Sequence, residues 1–275
     1  MLRQRIATGV VLAALFIAAV FLLDTPWFSL VTGVLAGVAA WEWGRLAGMH
    51  RVIERILYLI VVTALLLVCY ALRDTAWSQL LIMCAAFGWI LVLVEVIAVE
   101  KGLVSLPASR PLKELLGLVI LVPAWLALVM LHATGPESRL ILLLPVVLVW
   151  VADSAAYFTG RRWGHSKLAP HISPGKTREG LYGALAASLV VALGWVLYDD
   201  IQGLNILIFL ILCLVTVLAS VLGDLLVSLM KRSAQVKDSG HLLPGHGGLL
   251  DRIDSLTAAM PVFAAGLLLI WSTHL

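Results

Sequence analysis

The stretch LNILIFLILCLVTVLASVLGDLLVSL, Leu204–Leu229, runs for 26 residues with a single charged side chain, Asp224. An α-helix rises about 1.5 Å per residue, so about 20 apolar residues cross the roughly 30 Å hydrocarbon layer of a bilayer. The run is continuous and lacks the period-two alternation of a barrel strand, which makes it a membrane-spanning helix. In lipid every backbone polar group must find a partner inside the chain, so its neighbours must be helical too. The fold class is therefore all-α, a polytopic integral membrane protein.

Working outward, the same pattern recurs along all 275 residues. The chain is 62% hydrophobic and 13% charged, with mean hydropathy +1.04; soluble domains average about 25% charged residues. The pattern predicts about nine transmembrane helices, over Ala7–Leu23, Trp27–Trp41, Ile53–Leu72, Trp77–Val99, Leu115–Leu131, Leu140–Phe158, Gly180–Tyr198, Leu204–Leu229 and Leu256–Trp271. The second block is short for a full crossing and tilts, thins the bilayer locally or extends through Trp43. The first block follows Arg3 and Arg5 as a secretory leader would. It has no small-x-small site before Asp24-Thr25-Pro26 and reads as a retained first span.

Charge supports the count. An N-terminus in the cytoplasm places 17 of the 19 Lys and Arg residues on that side, leaving out only Arg73 and Arg139. Basic residues are retained on the cytoplasmic side during insertion, so the odd span number puts the C-terminus outside. The net charge of +3 lies in short loops between apolar blocks, which argues against a nucleic-acid partner. Cys69, Cys84 and Cys213 sit far apart inside apolar blocks and suggest neither a metal site nor a disulfide framework.

The chain reads as one integral-membrane unit in two parts. Residues 1–140 are N-terminal scaffold helices that could supply oligomer contacts. Residues 141–275 are a catalytic region with two long cytoplasmic loops, 159–179 and 230–255, and function is expected there. Six acids cluster in or beside those loops: Asp153, Glu179, Asp224, Asp238, Asp251 and Asp254. Asp224 lies within a spanning block, where an aspartate costs up to about 2.5–3.5 kcal/mol on insertion scales. It is a polar contact between helices, an interfacial residue of a helix drawn too long, or a metal ligand facing an aqueous cavity. Asp251 and Asp254 share one face if their stretch is helical; acid in a first helical turn is also favoured by the macrodipole. Carboxylates drawn together need a cation between them, and hard oxygen ligands beside phosphates suit Mg²⁺.

Phosphate-binding groups surround these acids. Ser173-Pro174-Gly175-Lys176-Thr177-Arg178-Glu179-Gly180 offers two cations, hydroxyls and free N–H groups at a helix start. It is no P-loop, because the first glycine of that motif would fall on Pro170 and no apolar strand precedes it. Pro244-Gly245-His246-Gly247-Gly248, then Leu249-Leu250-Asp251-Arg252, lets backbone approach a ligand closely, with His246 and Arg252 as polar contacts.

Ser228-Leu229-Met230-Lys231-Arg232, then Lys237-Asp238-Ser239-Gly240, Pro244-Gly245-His246-Gly247-Gly248 and Asp251-Arg252-Ile253-Asp254 together resemble the signature of phosphatidate cytidylyltransferases. The resemblance extends upstream through Asp153-Ser154-Ala155-Ala156-Tyr157-Phe158-Thr159-Gly160-Arg161 and Ile172–Gly180, where Arg178 stands at a position more often tryptophan in that family. It is strong over residues 150–255; the first 140 residues are similar only in hydropathy and in the Arg-Gln-Arg start. The resemblance implies the reaction of CTP with phosphatidate to give CDP-diacylglycerol and pyrophosphate at the bacterial inner membrane. It implies metal binding by Asp224 and Asp251 with Asp254 as a further ligand or a support behind the ligands, a two-cation site of Mg²⁺ with K⁺ or Mg²⁺ as the second ion, and a homodimer. Lys176, Lys237 and Arg252 are the expected phosphate binders. Asp153, Ser173, Arg178, Glu179, Lys231, Arg232, Asp238, His246, Gly247 and Gly248 are further site residues. The rival readings are a CTP-dependent polyprenol- or phytol-type lipid kinase and an ion-coupled transporter. The transporter would show paired repeats with interrupted helices, and none is evident.

Overall fold

The computed structural model describes residues 2–104, 109–135, 138–199, 201–242 and 247–272. Among these, nine helices follow in order: α1 (Leu2–Leu22), α2 (Thr25–Leu46), α3 (Val52–Ala71), α4 (Ala76–Glu100), α5 (Arg110–Ala133), α6 (Ser138–Trp163), α7 (Arg178–Tyr198), α8 (Leu204–Ser233) and α9 (Leu250–Ser272). Each predicted helix is present, and most run further than their apolar blocks. Seven, α3 to α9, are long and apolar enough to cross a membrane; α1 adds a shorter apolar run, Gly9–Leu22. α2 extends past Trp43, one of the outcomes open to its short apolar block, and its 22 residues reach about 33 Å at 1.5 Å each. Its first turn holds Pro26, where a missing N–H costs nothing.

Polar contacts at the helix ends show which ends lie together. At one end, His132 of α5 meets the hydroxyl of Thr25 at 3.0 Å and the carbonyl of Val20 at 3.1 Å, and Arg139 of α6 donates to the Phe21 carbonyl at 2.6 Å. At the other end, Arg110 of α5 pairs with Glu54 of α3 at 3.2 Å, and Lys113 donates to Ser233 at the end of α8 at 2.7 Å. The C-terminal ends of α2, α4, α6 and α8 thus gather with the N-terminal ends of α3, α5, α7 and α9. This is the up-and-down alternation that short connections demand.

α5 and α9 form the middle of the bundle: 67% and 61% of their spans are buried, against 22% for α3. Trp43, Phe28, Ile120, Leu126, Leu142, Leu226 and Phe263 are fully enclosed there. Large apolar side chains such as Leu67, Leu91, Val190 and Leu197 face outward, as surfaces in contact with lipid must. α8 and α9 pack along much of their length, as do α6 and α7. At Gly223 any Cβ would meet the Asp254 carbonyl. This glycine lets α9 close on α8 next to Asp224.

The segment 159–179 is not a plain loop. α6 continues to Trp163, and a hairpin of β1 (Lys167–Ala169) and β2 (Ser173–Thr177) fills the rest, pairing Lys167 with Thr177 and Ala169 with Ser173. Likewise α8 runs on to Ser233 and α9 starts at Leu250, so both ends of 230–255 are helical.

Candidate active site

The site forms where the hairpin, the end of α8 and the start of α9 converge. α7 begins directly after β2, and Thr177 caps it by accepting from the Gly180 N–H at 3.1 Å. The Glu179 carboxylate turns back to accept the Ser166 N–H at 3.1 and 3.2 Å, and the Arg178 N–H donates to the Ser166 carbonyl at 2.9 Å. These contacts close the hairpin and aim Lys176. Its Nζ lies 2.7 Å from Oδ2 of Asp224 on α8, and Ser228, one turn on, donates to Oδ1 at 3.2 Å.

α9 supplies the second acidic group. Asp251 stands in its first turn with 5% of its side chain exposed, and Oδ1 is 2.7 Å from Nζ of Lys231. Oδ2 accepts the N–H groups of Ser239 at 2.9 Å and Gly248 at 3.0 Å, and the Ser239 hydroxyl stands 3.0 Å away. Gly247 precedes this contact with φ +80°, a left-handed conformation that suits glycine. Asp254, one turn later, is buried, accepts the Ser255 N–H at 2.8 Å and lies within electrostatic reach of Asp224, Lys231 and Lys176. Asp153 on α6 is within electrostatic reach of Lys176, Asp224 and Arg252. Helices distant in sequence therefore bring Asp153, Asp224, Asp251 and Asp254 to one end, interleaved with Lys176, Lys231 and Arg252. A binding place for anions needs such cations held in position, and acids set between them keep the ammonium groups from repelling one another.

The chain was compared with known proteins. Residues 3–270 match the model of the cytidylyltransferase family. The chain belongs to this family. It is 43% identical to the phosphatidate cytidylyltransferase of Pseudomonas aeruginosa over 272 residues, covering 99% of this chain and 98% of that one. It is 40% identical to that of Haemophilus influenzae, covering 96% and 98%. A Bacillus subtilis phosphatidate cytidylyltransferase shares 46% identity over 112 residues, 40% of each chain.

Within this cytidylyltransferase the expected residues divide into groups. Lys176, Lys231, Asp153, Asp224, Asp251, Asp254, Arg252 and Gly248 are brought together. Glu179 closes the hairpin, and Arg232 donates through Nε to the Ile172 carbonyl at 3.2 Å; both contacts hold backbone. Ser173 is half-buried in β2, while Arg178, Lys237 and Asp238 are exposed on the rim. His246 lies outside the described residues. Among the described residues, no three His, Cys, Asp or Glu side chains are close enough to hold a metal ion. Asp224, Asp251 and Asp254 are thus not gathered into a ready-made three-acid centre; Asp224 and Asp251 are paired instead with Lys176 and Lys231.

Three residues outside the expected set support the site. Glu100, at the end of α4, accepts the N–H groups of His171 at 3.0 Å and Ile172 at 3.1 Å, fastening the hairpin tip. Lys113 of α5 anchors the end of α8 through Ser233. Glu42 of α2 is 6% exposed and accepts hydrogen bonds from Ser239, Leu249 and Leu250. Glu42 carried a signal: it is an acid at the end of an apolar block too short to span unless the helix continues past it.

Proposed function

We propose that the chain transfers the cytidylyl group of CTP to phosphatidate, giving CDP-diacylglycerol and pyrophosphate. The observation that carries this reading is the pair of lysines, Lys176 and Lys231, held on Asp224 and Asp251 at one end of a bundle of apolar helices. The identity to proteins named for that activity over nearly the whole chain supports it. An oxygen of the lipid phosphate would attack the α-phosphorus of CTP, forming the new P–O bond as the bond to pyrophosphate breaks. An ionised phosphate is already a nucleophile, so the protein's task is to hold two anions in line and offset their repulsion. Lys176, Lys231 and Arg252 serve that task, with Lys237 approaching from the rim.

Two of the site's cations, Lys176 and Lys231, are already paired with Asp224 and Asp251, so the protein alone offers little unpaired positive charge to two phosphate-bearing substrates. Asp224 and Asp254, near each other with hard oxygen donors, fit Mg²⁺, which typically takes one or two carboxylates and completes its shell with water and substrate phosphate. Asp251 offers only Oδ1 beyond its backbone contacts. Bound there, Mg²⁺ would supply neutralisation of the phosphate charge, and a second ion, K⁺ or Mg²⁺, is proposed on the resemblance alone.

The site end is proposed to face the cytoplasm, source of CTP, because the basic residues concentrate there. The N-terminus lies on that side, in the inner membrane. The resemblance alone supports a homodimer, which crosslinking in native membranes tests. For the reaction, membranes containing the protein are incubated with α-labelled CTP and phosphatidate. Label in the lipid product is the expected result. Label left in CDP, with a phosphorylated lipid acceptor, would establish a lipid kinase instead.

A further inference from the structure

Glu42 is buried in α2, and its carboxylate accepts hydrogen bonds from Ser239, Leu249 and Leu250. Oε1 accepts the Leu249 N–H at 3.0 Å; Oε2 accepts the Leu250 N–H at 2.8 Å and the Ser239 hydroxyl at 2.9 Å. Leu250 opens α9, and the first N–H groups of a helix have no acceptor within it. A carboxylate there satisfies them and meets the positive end of the helix dipole. Glu42 therefore caps α9 from a residue 197 positions before Ser239.

The Ser239 hydroxyl lies between two carboxylates, 2.9 Å from Glu42 and 3.0 Å from Asp251. It has one proton to give. Oδ2 of Asp251 already receives the Ser239 and Gly248 N–H groups, so the hydroxyl proton belongs to Glu42. Asp251 is thereby held by backbone that Glu42 fixes at both ends, at Ser239 and at Leu249-Leu250. The glycines of the signature fit the same account, since a Cβ on either Gly240 or Gly248 would run into the Glu42 carboxylate.

We infer that Glu42 is a positioning residue of the active site, setting the orientation of Asp251 and its Lys231 partner through the 239–250 segment. It touches no reacting atom. The inference rests on the cytidylyl-transfer reading for its assay. The test uses full-length protein in lipid nanodiscs, with kcat expressed per folded, monodisperse molecule. Glu42→Gln keeps the size but sets an amide nitrogen against an N–H donor. The expected result is a kcat roughly ten- to a hundredfold lower, with KM for CTP and phosphatidate within about threefold of wild type. Ser239→Ala removes only the hydroxyl link, leaving Asp251 its backbone donors, and should lower kcat about fivefold with KM unchanged. The double variant should be no worse than Glu42→Gln by more than about twofold, as coupled residues behave. Unchanged kcat per folded molecule in Glu42→Gln, or losses that multiply in the double variant, would overturn the inference. If Glu42→Gln does not fold, Ser239→Ala decides alone, and wild-type kcat in that variant refutes it. A failure of the reaction reading shows separately, as α-label from the wild-type enzyme appearing in CDP.

Discussion

Replacing Asp251 by asparagine separates its two duties, because its two oxygens face different partners. Oδ2 accepts backbone N–H groups of Ser239 and Gly248, and Oδ1 faces the Lys231 ammonium at 2.7 Å. An asparagine oriented by the first set keeps its oxygen on the backbone and turns its NH₂ toward Lys231, donor against donor. At 2.7 Å and an effective dielectric near 20, the gross attraction lost is about 6 kcal/mol. The two side chains are only 15% and 5% exposed, so desolvation already offsets part of this, and the net cost of breaking such a pair is about 3 kcal/mol. Membrane insertion survives, since the apolar helices are unaltered. If that free energy is withdrawn from the reacting complex, turnover falls at least about a hundredfold. The assay is lipid-incorporated α-label per folded enzyme in nanodiscs, beside thermal unfolding of the same samples. Adding Lys231→Met removes the stranded ammonium, so the double variant should recover thermal stability and stay inactive. Near-normal turnover in Asp251→Asn, or recovered activity in the double variant, would refute the reasoning.

Lys176→Met should lower kcat/KM by about a hundredfold in the same assay, because it removes the cation that meets Asp224 at 2.7 Å; a loss under about threefold would count against its phosphate role. Excess chelator should stop turnover and added Mg²⁺ restore it, and activity persisting in chelator removes the proposed ion. Glu100→Ala releases the His171 and Ile172 N–H groups, so limited proteolysis should cut more readily within 165–172 and KM should rise several-fold. An unchanged cleavage pattern would mean the hairpin is held by other contacts.

The membrane fold was legible because lipid permits so few solutions. A run such as Leu204–Leu229 can be little else, and the alternation of basic residues then fixes how many runs there are. Legibility failed where a polar residue near a helix end has a distant partner. The apolar block Trp27–Trp41 stops where Glu42 interrupts it, but α2 continues to Leu46 because that carboxylate is satisfied by Ser239, Leu249 and Leu250. Ser173–Thr177, with its proline and glycine, has no strand pattern, and β2 exists because Glu179 and Glu100 hold the hairpin at its two ends. The same blindness affected roles. Glu179 and Arg232 stand in the sequence as site residues of unassigned role, and the contacts that show what they do, to the Ser166 N–H and the Ile172 carbonyl, join residues that only the fold brings together.

These contacts also explain why a site read from residues 150–255 needs the helices before it. Asp224 and Asp254 stand on helices that Gly223 allows to close together, an arrangement internal to the last two spans. Asp251 is different. Its N–H donors, Ser239 and Gly248, lie outside any helix, and a mobile donor would leave the carboxylate free to follow Lys231 or a bound phosphate. α2 removes that freedom with one buried acid, and α4 does the same for the hairpin that aims Lys176. Each lysine–aspartate pair is therefore braced by an acid from the N-terminal half, Glu42 for Lys231–Asp251 and Glu100 for Lys176–Asp224. Electrostatic stabilisation of a transition state is strong only when its charges need not rearrange during the reaction. On the proposed mechanism, that requirement would give α2 and α4 a role in turnover beyond packing.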